Sequence, residues 1–304
     1  MPTTRTKPKS GVGRPRKCGA IPLSEYEGIL ACPPADKPFL YTCPHPIVLS
    51  DWLQILGVRG LKMPEVHLIA TPTSLHFMAT SGTKQAIIDI NVAGSYQFTC
   101  DRIYRISLNL PLFTQIIKKI VGNSTSVVQL YTIKDRMEEL FLESKEIGDG
   151  PFHTNSICVN SFEILSEPPI ITYQPDGNPD GATFRDFPPD TFKKLFKSKQ
   201  YSDGSPFCDL TITGSEVAIF KQAAIGGSPK TIWRDRRDIE IPEGCVIKSL
   251  LIPYRDVGEF CSKDIKNMAT IMVGETDCRM VKRIFAGECV ELLFYYCVQQ
   301  QNVV

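Results

Sequence analysis

The sequence predicts an α+β chain built from two copies of one unit, each with two helices on one face of antiparallel sheets. Three observations predict this. Beyond residue 37 the chain is dense in β-branched and aromatic runs, such as EVHLIATPTSLHFMAT and STSVVQLYTI, interrupted by a few short stretches of helical periodicity. The sequence also matches itself at a shift of 143: Pro46 and Pro189 each open a helical pattern, Phe77 meets Phe220, and Arg136-Met137 meets Arg279-Met280. Nearby, LNLP at 108–111 answers LLIP at 250–253 at a shift of 142. One shift that serves two helix starts and two strand regions is a duplication, because chance matches of apolar residues scatter over many shifts. Finally, 304 residues, 42% of them hydrophobic and 22% charged, suffice for two cores.

The elements follow in order. Residues 1–37 form a basic arm: Arg5, Lys7, Lys9, Arg14, Arg16 and Lys17 precede the first acid, Glu25, and prolines recur. The first unit spans 38–163 and the second 183–304, each ordered strand, helix, several strands, helix, several strands. Between them, residues 164–182 (ILSEPPIITYQPDGNPDGA) hold four prolines and the turn sequence DGNPDG, and read as an extended connector. The first helix, PIVLSDWLQIL, sets Leu49, Trp52 and Leu53 on one face and shows Ser50, Asp51 and Gln54 on the other. In PLFTQIIKKIVGN, Leu112, Ile116 and Ile120, flanked by Phe113 and Ile117, form the apolar stripe and leave Gln115, Lys118 and Lys119 outside. The third helix, PPDTFKKLFKSK, has Asp190 as N-cap, buries Phe192, Leu195 and Phe196, and clusters Lys193, Lys194 and Lys197 opposite, with Lys199 beyond. The last, PYRDVGEFCSKDIKN, buries Val257, Phe260 and Cys261 and presents Arg255, Lys263 and Lys266.

Charge placement narrows the function. With 34 basic and 33 acidic residues the net charge is +1, so affinity for a polyanion has to come from local segregation. The lysines sit on helices, whereas acids such as Glu138, Glu139, Glu143, Glu146 and Asp149 sit in strands and loops. A basic helical surface on a neutral chain suits double-stranded DNA held through its phosphates without base reading. Catalysis is not expected: P-loop, nucleophile-elbow and HExxH motifs are absent, and Gly11-x-Gly13 lacks the third glycine of a dinucleotide site. The eleven cysteines include no CxxC pair, and His45, His67, His76 and His153 are scattered, so neither a metal nor another cofactor is expected. No apolar run reaches the length that spans a bilayer, so a membrane is not an expected partner, and with catalysis not expected neither is a small-molecule substrate. An intracellular protein follows.

The segment TCDRIYRISLNLPLFTQIIKKIVGNSTSVVQLYTIKDRMEELFLES resembles the sliding DNA clamps of the proliferating cell nuclear antigen type. Cys100-Asp101-Arg102 leads into a strand, a short lysine-bearing helix ends at Gly122-Asn123, and a β-hairpin follows; the second half repeats this through FPPDTFKKLFK and a terminal hairpin ending VELLFYYCV. The basic arm is closest in style to the diverged clamps of large DNA viruses. The resemblance implies a homotrimeric ring around duplex DNA, a processivity factor for a viral DNA polymerase, and a docking platform for replication and repair enzymes, in the host nucleus or a cytoplasmic viral replication site. It places Lys119, Lys194 and Lys197 on the inner face. It also implies subunits joined through edge strands, here Asn155, Ile157, Val159, Phe162 and Ile164 against Lys230, Ile232, Trp233, Arg234 and Arg236; Trp233 fits equally well as a core or loop residue. Two departures stand out: the first helix has no lysine, and the C-terminal strand ends Tyr295-Tyr296-Cys297-Val298 without the family's Ala-Pro pair. A client pocket is then expected among Ile87, Ile88, Leu165, Ile170, Ile171 and Tyr295. Two other readings remain: a clamp-fold late transcription factor of a virus, and an A·T-preferring minor-groove binder acting through the GVGRPRK tail. On the clamp reading, Arg14, Arg16 and Lys17 serve as a DNA tether near the ring's mouth, as part of an import signal, or as a solvated tail.

Overall fold

The computed structural model describes residues 36–57, 63–82, 84–95, 97–121, 126–146, 152–170, 182–187, 207–213, 216–221, 239–240, 250–253, 269–274, 277–286 and 289–299. The first half runs β1 (Phe39–Cys43), α1 (Pro46–Leu56), β2 (Glu65–Thr71), β3 (Ser74–Ser81), β4 (Lys84–Ile90), β5 (Gln97–Cys100), β6 (Ile103–Asn109), α2 (Leu110–Ile120), β7 (Ser126–Ile133), β8 (Arg136–Glu146), β9 (Phe152–Cys158) and β10 (Ser161–Leu165). The second half contributes β11 (Ala182–Phe187), β12 (Phe207–Thr213), β13 (Glu216–Lys221), β14 (Ile239–Glu240), β15 (Leu250–Pro253), β16 (Ala269–Val273), β17 (Asp277–Ala286) and β18 (Cys289–Gln299). The helices expected over 189–199 and 253–267 lie outside the described residues, as do the arm before residue 36 and residues 171–181 of the connector.

Strand pairing repeats between the halves. In the first, β1 pairs with β5 and β7, β2 with β3 and β6, and the chain continues β7–β8–β9. In the second, β11 pairs with β14 and β16, β12 with β13 and β15, and the chain continues β16–β17–β18. All of these pairs are antiparallel. The duplication visible as a 143-residue shift is therefore also a duplication of topology. Its last strands have different fates: β18 pairs with β4 of the first half and fuses the halves into one ten-stranded sheet, ordered β10-β6-β2-β3-β4-β18-β17-β16-β11-β14. Its counterpart β9 is the outer strand of the five-stranded sheet β5-β1-β7-β8-β9 and pairs with β8 alone among the described strands.

Alternation explains which sheet face meets the helices. Along β3, Leu75, Phe77 and Ala79 are buried while Ser74, His76 and Met78 are half-exposed, the period of two that a pleated strand imposes. The main core collects such positions from both sheets together with α1 and α2, and it crosses the junction: Met280, Leu292, Phe294 and Tyr296 belong to it along with Phe39, Trp52 and Phe113.

Three expectations are corrected. The buried stripe of α2 is Leu110, Phe113, Ile117 and Ile120, with Leu112 46% exposed and Ile116 half-buried; adding Leu110 as the first helical residue turns the stripe by one position. Helix α1 does not show a polar face: Ser50 is buried and Asp51 and Gln54 are only half-exposed. The segment from Asn155 to Ile164, expected as one edge strand, is two strands in different sheets. It reverses at Val159 and Asn160, where the Val159 N–H donates to the Glu138 carbonyl at 2.9 Å and the Asn160 N–H to the Ser107 carbonyl at 2.7 Å.

Candidate nucleic-acid interface

Helix α2 is shaped by its ends. The Asn109 side chain accepts from the Leu112 N–H at 3.0 Å, which satisfies one of the donors that a helix start leaves open, and Pro111 sits where no N–H is needed. At the other end Lys118 and Lys119 occupy the last turn, where cations offset the partial negative charge of the unpaired carbonyls. Both lysines and Gln115 are exposed, while Phe113 stacks on Phe77 at 6.0 Å between ring centroids and fixes the helix on the sheet. The helix thus turns a small cationic surface away from the core. Helix α1 contributes none to it: its last turn carries no base, and nine of its eleven residues are buried.

The other cations predicted to bind DNA, namely Lys193, Lys194, Lys197, Lys199, Arg255, Lys263, Lys266, Arg14, Arg16 and Lys17, lie outside the described residues. So do the interface candidates Lys230, Ile232, Trp233, Arg234 and Arg236. Of the first-half interface candidates, Asn155 and Ile157 lie on the edge strand β9, where Ile157 is buried against the core. Val159 and Phe162 pack inward, Phe162 against Tyr104 at 5.4 Å, and Ile164 is 55% exposed on β10.

The pocket candidates separate by sheet face. Ile87 and Tyr295 are cross-strand partners on β4 and β18 and share a cluster with Met272, Val281 and Leu293 on the face turned away from the helices. Burial pushes the Tyr295 phenol above its usual range, with Cys297 adding to the effect. Ile88 points the other way, into the main core. Leu165 ends β10, Ile170 is 89% exposed beyond it, and Ile171 lies outside the described residues.

Sequence reasoning missed two features. His45, just before α1, places Nε2 against the Glu291 carboxylate of β18, both side chains largely buried, and ties the first helix to the second half. No local motif marks a pair 246 residues apart. The second is an apolar cluster on the outer face of the five-stranded sheet, Leu40 with Tyr131 and Phe141. The burial of β1 hides it, since all five of its residues are buried and no alternation marks the outer face.

The histidines and cysteines do not assemble a reactive centre among the described residues. His67 Nδ1 lies 2.7 Å from Ser107 Oγ, and partial burial, then the nearby Arg105, holds the imidazole below its usual range. His76 pairs with Asp89 at 3.0 Å. Burial raises the Cys43 thiol to about 12, which suppresses the thiolate. No group of three or more metal-ligating side chains occurs among the described residues.

No protein-family model matches the chain, and no curated protein does. Among solved structures, the proliferating cellular nuclear antigen of Entamoeba histolytica is similar, with a TM-score of 0.66 at 12% sequence identity over 88% of this chain and 100% of that one. Repeated strand pairing, helices on one sheet face and this likeness agree: the chain has the fold of proliferating cellular nuclear antigen.

Proposed function

We propose that the protein is a sliding clamp: a homotrimeric ring that encircles duplex DNA and holds a DNA polymerase and other replication and repair enzymes on it, without catalysis of its own. The observation that carries this reading is the junction between β18 and β4. Inside one chain, the last strand of the second repeat pairs with the fourth strand of the first. The equivalent pair left over is β9 and the segment 143 residues after β4, residues 227–233, within which Lys230, Ile232 and Trp233 fall. Pairing these between chains reproduces the internal junction head to tail, and a repeated heterologous contact of that kind closes a ring. It also covers a strand edge that would otherwise invite aggregation.

With the helices inward, Lys118 and Lys119 meet DNA phosphates, joined by the second-half lysines. Such contacts carry no sequence information, so the ring slides. Function is then topological: a tethered client stays at high local concentration along the strand. The basic arm ahead of β1 supports a viral polymerase as client, at the host nucleus or a cytoplasmic viral replication site. The test is retention on closed circular DNA. Protein loaded on a circle is expected to stay through a high-salt wash and to leave when a single cut linearises the DNA, with a trimer seen by sedimentation. A monomer at micromolar concentration, or equal retention on circle and line, would overturn the proposal.

A further inference from the structure

We propose that the corner at Val159 and Asn160 makes the outer strand β9 and the connector strand β10 one mechanical unit, so that whatever fastens the connector also strengthens the edge presented by β9. Consecutive residues hold this corner to two different sheets. The Val159 N–H donates to the Glu138 carbonyl of β8 at 2.9 Å, and the Asn160 N–H donates to the Ser107 carbonyl of β6 at 2.7 Å. The first acceptor belongs to the five-stranded sheet and the second to the ten-stranded sheet. A third tie comes from the Asn160 side chain, whose Nδ2 donates to Glu65 Oε1 of β2 at 2.9 Å. Asn160 is thereby fixed to two strands of one sheet while its neighbour is fixed to the other.

The chain leaves little slack between the strands. β9 ends at Cys158 and β10 begins at Ser161, so only three Cα-to-Cα steps join them, about 11 Å at full stretch. Both backbone amides within that span are already engaged, and the corner holds no glycine or proline to act as a hinge. Side chains hold it from below: Ile157 of β9 is buried in the main core, Val159 and Phe162 pack against the same core, and the Phe162 ring lies 5.4 Å from that of Tyr104. Among the described strands β9 pairs with β8 alone and β10 with β6 alone. A strand with one neighbour opens more readily than a central one. Here neither can open far without pulling on the bonds that seat the other.

Such coupling is reciprocal: an event that stabilises β10 stabilises β9 by the same free energy, and the reverse. On the clamp reading, β9 meets the next subunit, and the connector that starts at β10 carries Leu165 and Ile170 of the expected client pocket. A ring with a client on its connector is then harder to open at β9 than an empty ring, and a closed ring offers its client a fixed connector. That use of the corner rests on the clamp reading; the coupling of the two strands does not.

The test is amide hydrogen exchange in the full-length protein, read by peptide mass. Phe162→Ala, which loosens β10 from the core, is expected to speed exchange in β10 and β9 together, each roughly tenfold, with β3 and β4 unchanged. Two glycines inserted between Val159 and Asn160 supply slack, and in that background Phe162→Ala is expected to speed β10 alone. Faster exchange confined to β10 without the insertion overturns the proposal. So does a β9 response that survives the insertion, since the strands would then communicate through the core. Should the insertion prevent folding, Asn160→Ala, which removes the tie to Glu65, is expected to speed both strands about threefold; a response in β10 alone overturns the proposal. Dilution separates the corner from the ring. If subunits part on dilution, β9 is expected to exchange faster and β10 with it; acceleration of β9 without β10 overturns the coupling, whereas a β9 rate indifferent to dilution counts against the ring alone.

Discussion

Helices α1 and α2 have the same length and follow strands in the same way, yet they do opposite things. Nine of the eleven residues of α1 are buried, Ser50 among them, and the remaining two, Asp51 and Gln54, are only half-exposed. Only five of the eleven residues of α2 are buried, and its outer surface carries Gln115, Lys118 and Lys119. The difference follows from what each helix touches. Trp52 of α1 packs on Phe294 of β18 at 5.4 Å, and His45 before it binds Glu291 of the same strand, so α1 is the helix that fastens the two halves together. Helix α2 packs within the first half, through Phe113 on Phe77 of β3 and through Leu110, Ile117 and Ile120. A helix covered nearly all round is a core element, and one with a buried stripe and an exposed polar side has a surface to offer. With no lysine on α1, the cationic helical surface among the described residues rests on α2, and α1 serves the seam.

The largest expected effect is at that seam. Trp52 is fully buried, and Trp52→Ala is expected to cost about 3–5 kcal/mol by urea unfolding, the range for deleting a large aromatic from a core. Phe113→Ala, also fully buried, is expected to cost a similar amount. Hydrogen exchange separates the two: Trp52→Ala is expected to loosen amides of β18 and β4, and Phe113→Ala those of β2 and β3. Should Trp52→Ala leave β18 as protected as before, the division of labour between the helices is wrong.

The His45–Glu291 pair comes next. Removing one partner leaves the other polar group poorly hydrated, with Glu291 11% exposed, so His45→Ala is expected to cost about 1–3 kcal/mol. A double-mutant cycle with Glu291→Ala isolates the coupling; a value near zero would mean that the pair is incidental to the seam. A smaller effect is expected at the cap of α2, where Asn109→Ala is expected to cost about 1 kcal/mol and Asn109→Ser nearly nothing, because serine restores an acceptor for the Leu112 N–H.

How much of the fold and of the cationic surface is legible in the sequence depends on the range of the interactions. The order of strands and helices can be read because β-rich runs and the 143-residue shift are properties of the chain alone. The α2 lysines can be read for the same reason, but the stripe read from periodicity is one step off: the helix reads as starting at Pro111, whereas Asn109 caps a helix that begins at Leu110. Helix α1 escapes a local reading because Trp52 and the preceding His45 meet a strand more than two hundred positions away, and no periodicity within PIVLSDWLQIL reports that contact. Likewise Ile87 and Ile88 look alike as neighbours in an apolar run; the pleat sends them to opposite faces, the first beside Tyr295 and the second into the core. The turn at Val159 and Asn160 carries no glycine or proline, and its turn-favouring pair Asn160-Ser161 matches Asn155-Ser156 inside β9, so the local sequence does not single out the point where one strand becomes two.

The smallest expected effect on stability is the most telling for function. Lys118 and Lys119 are exposed and take no part in the core, so Lys118→Ala/Lys119→Ala is expected to change unfolding free energy by no more than about 0.5 kcal/mol. Binding to duplex DNA is expected to weaken uniformly across sequences. The slope of log affinity against log salt is expected to fall by about 0.9 for each phosphate that is no longer neutralised, since each neutralised phosphate releases its share of condensed counterions. Arg105→Ala provides the contrast: this arginine lies on β6, half-exposed and paired with Glu163 on the face away from the helices, and its removal is expected to leave the salt slope unchanged. If the two variants lower the slope equally, the cationic surface of α2 has no special relation to DNA. If neither does, the phosphates are met by other cations of the chain, and α2, like α1, serves the core alone.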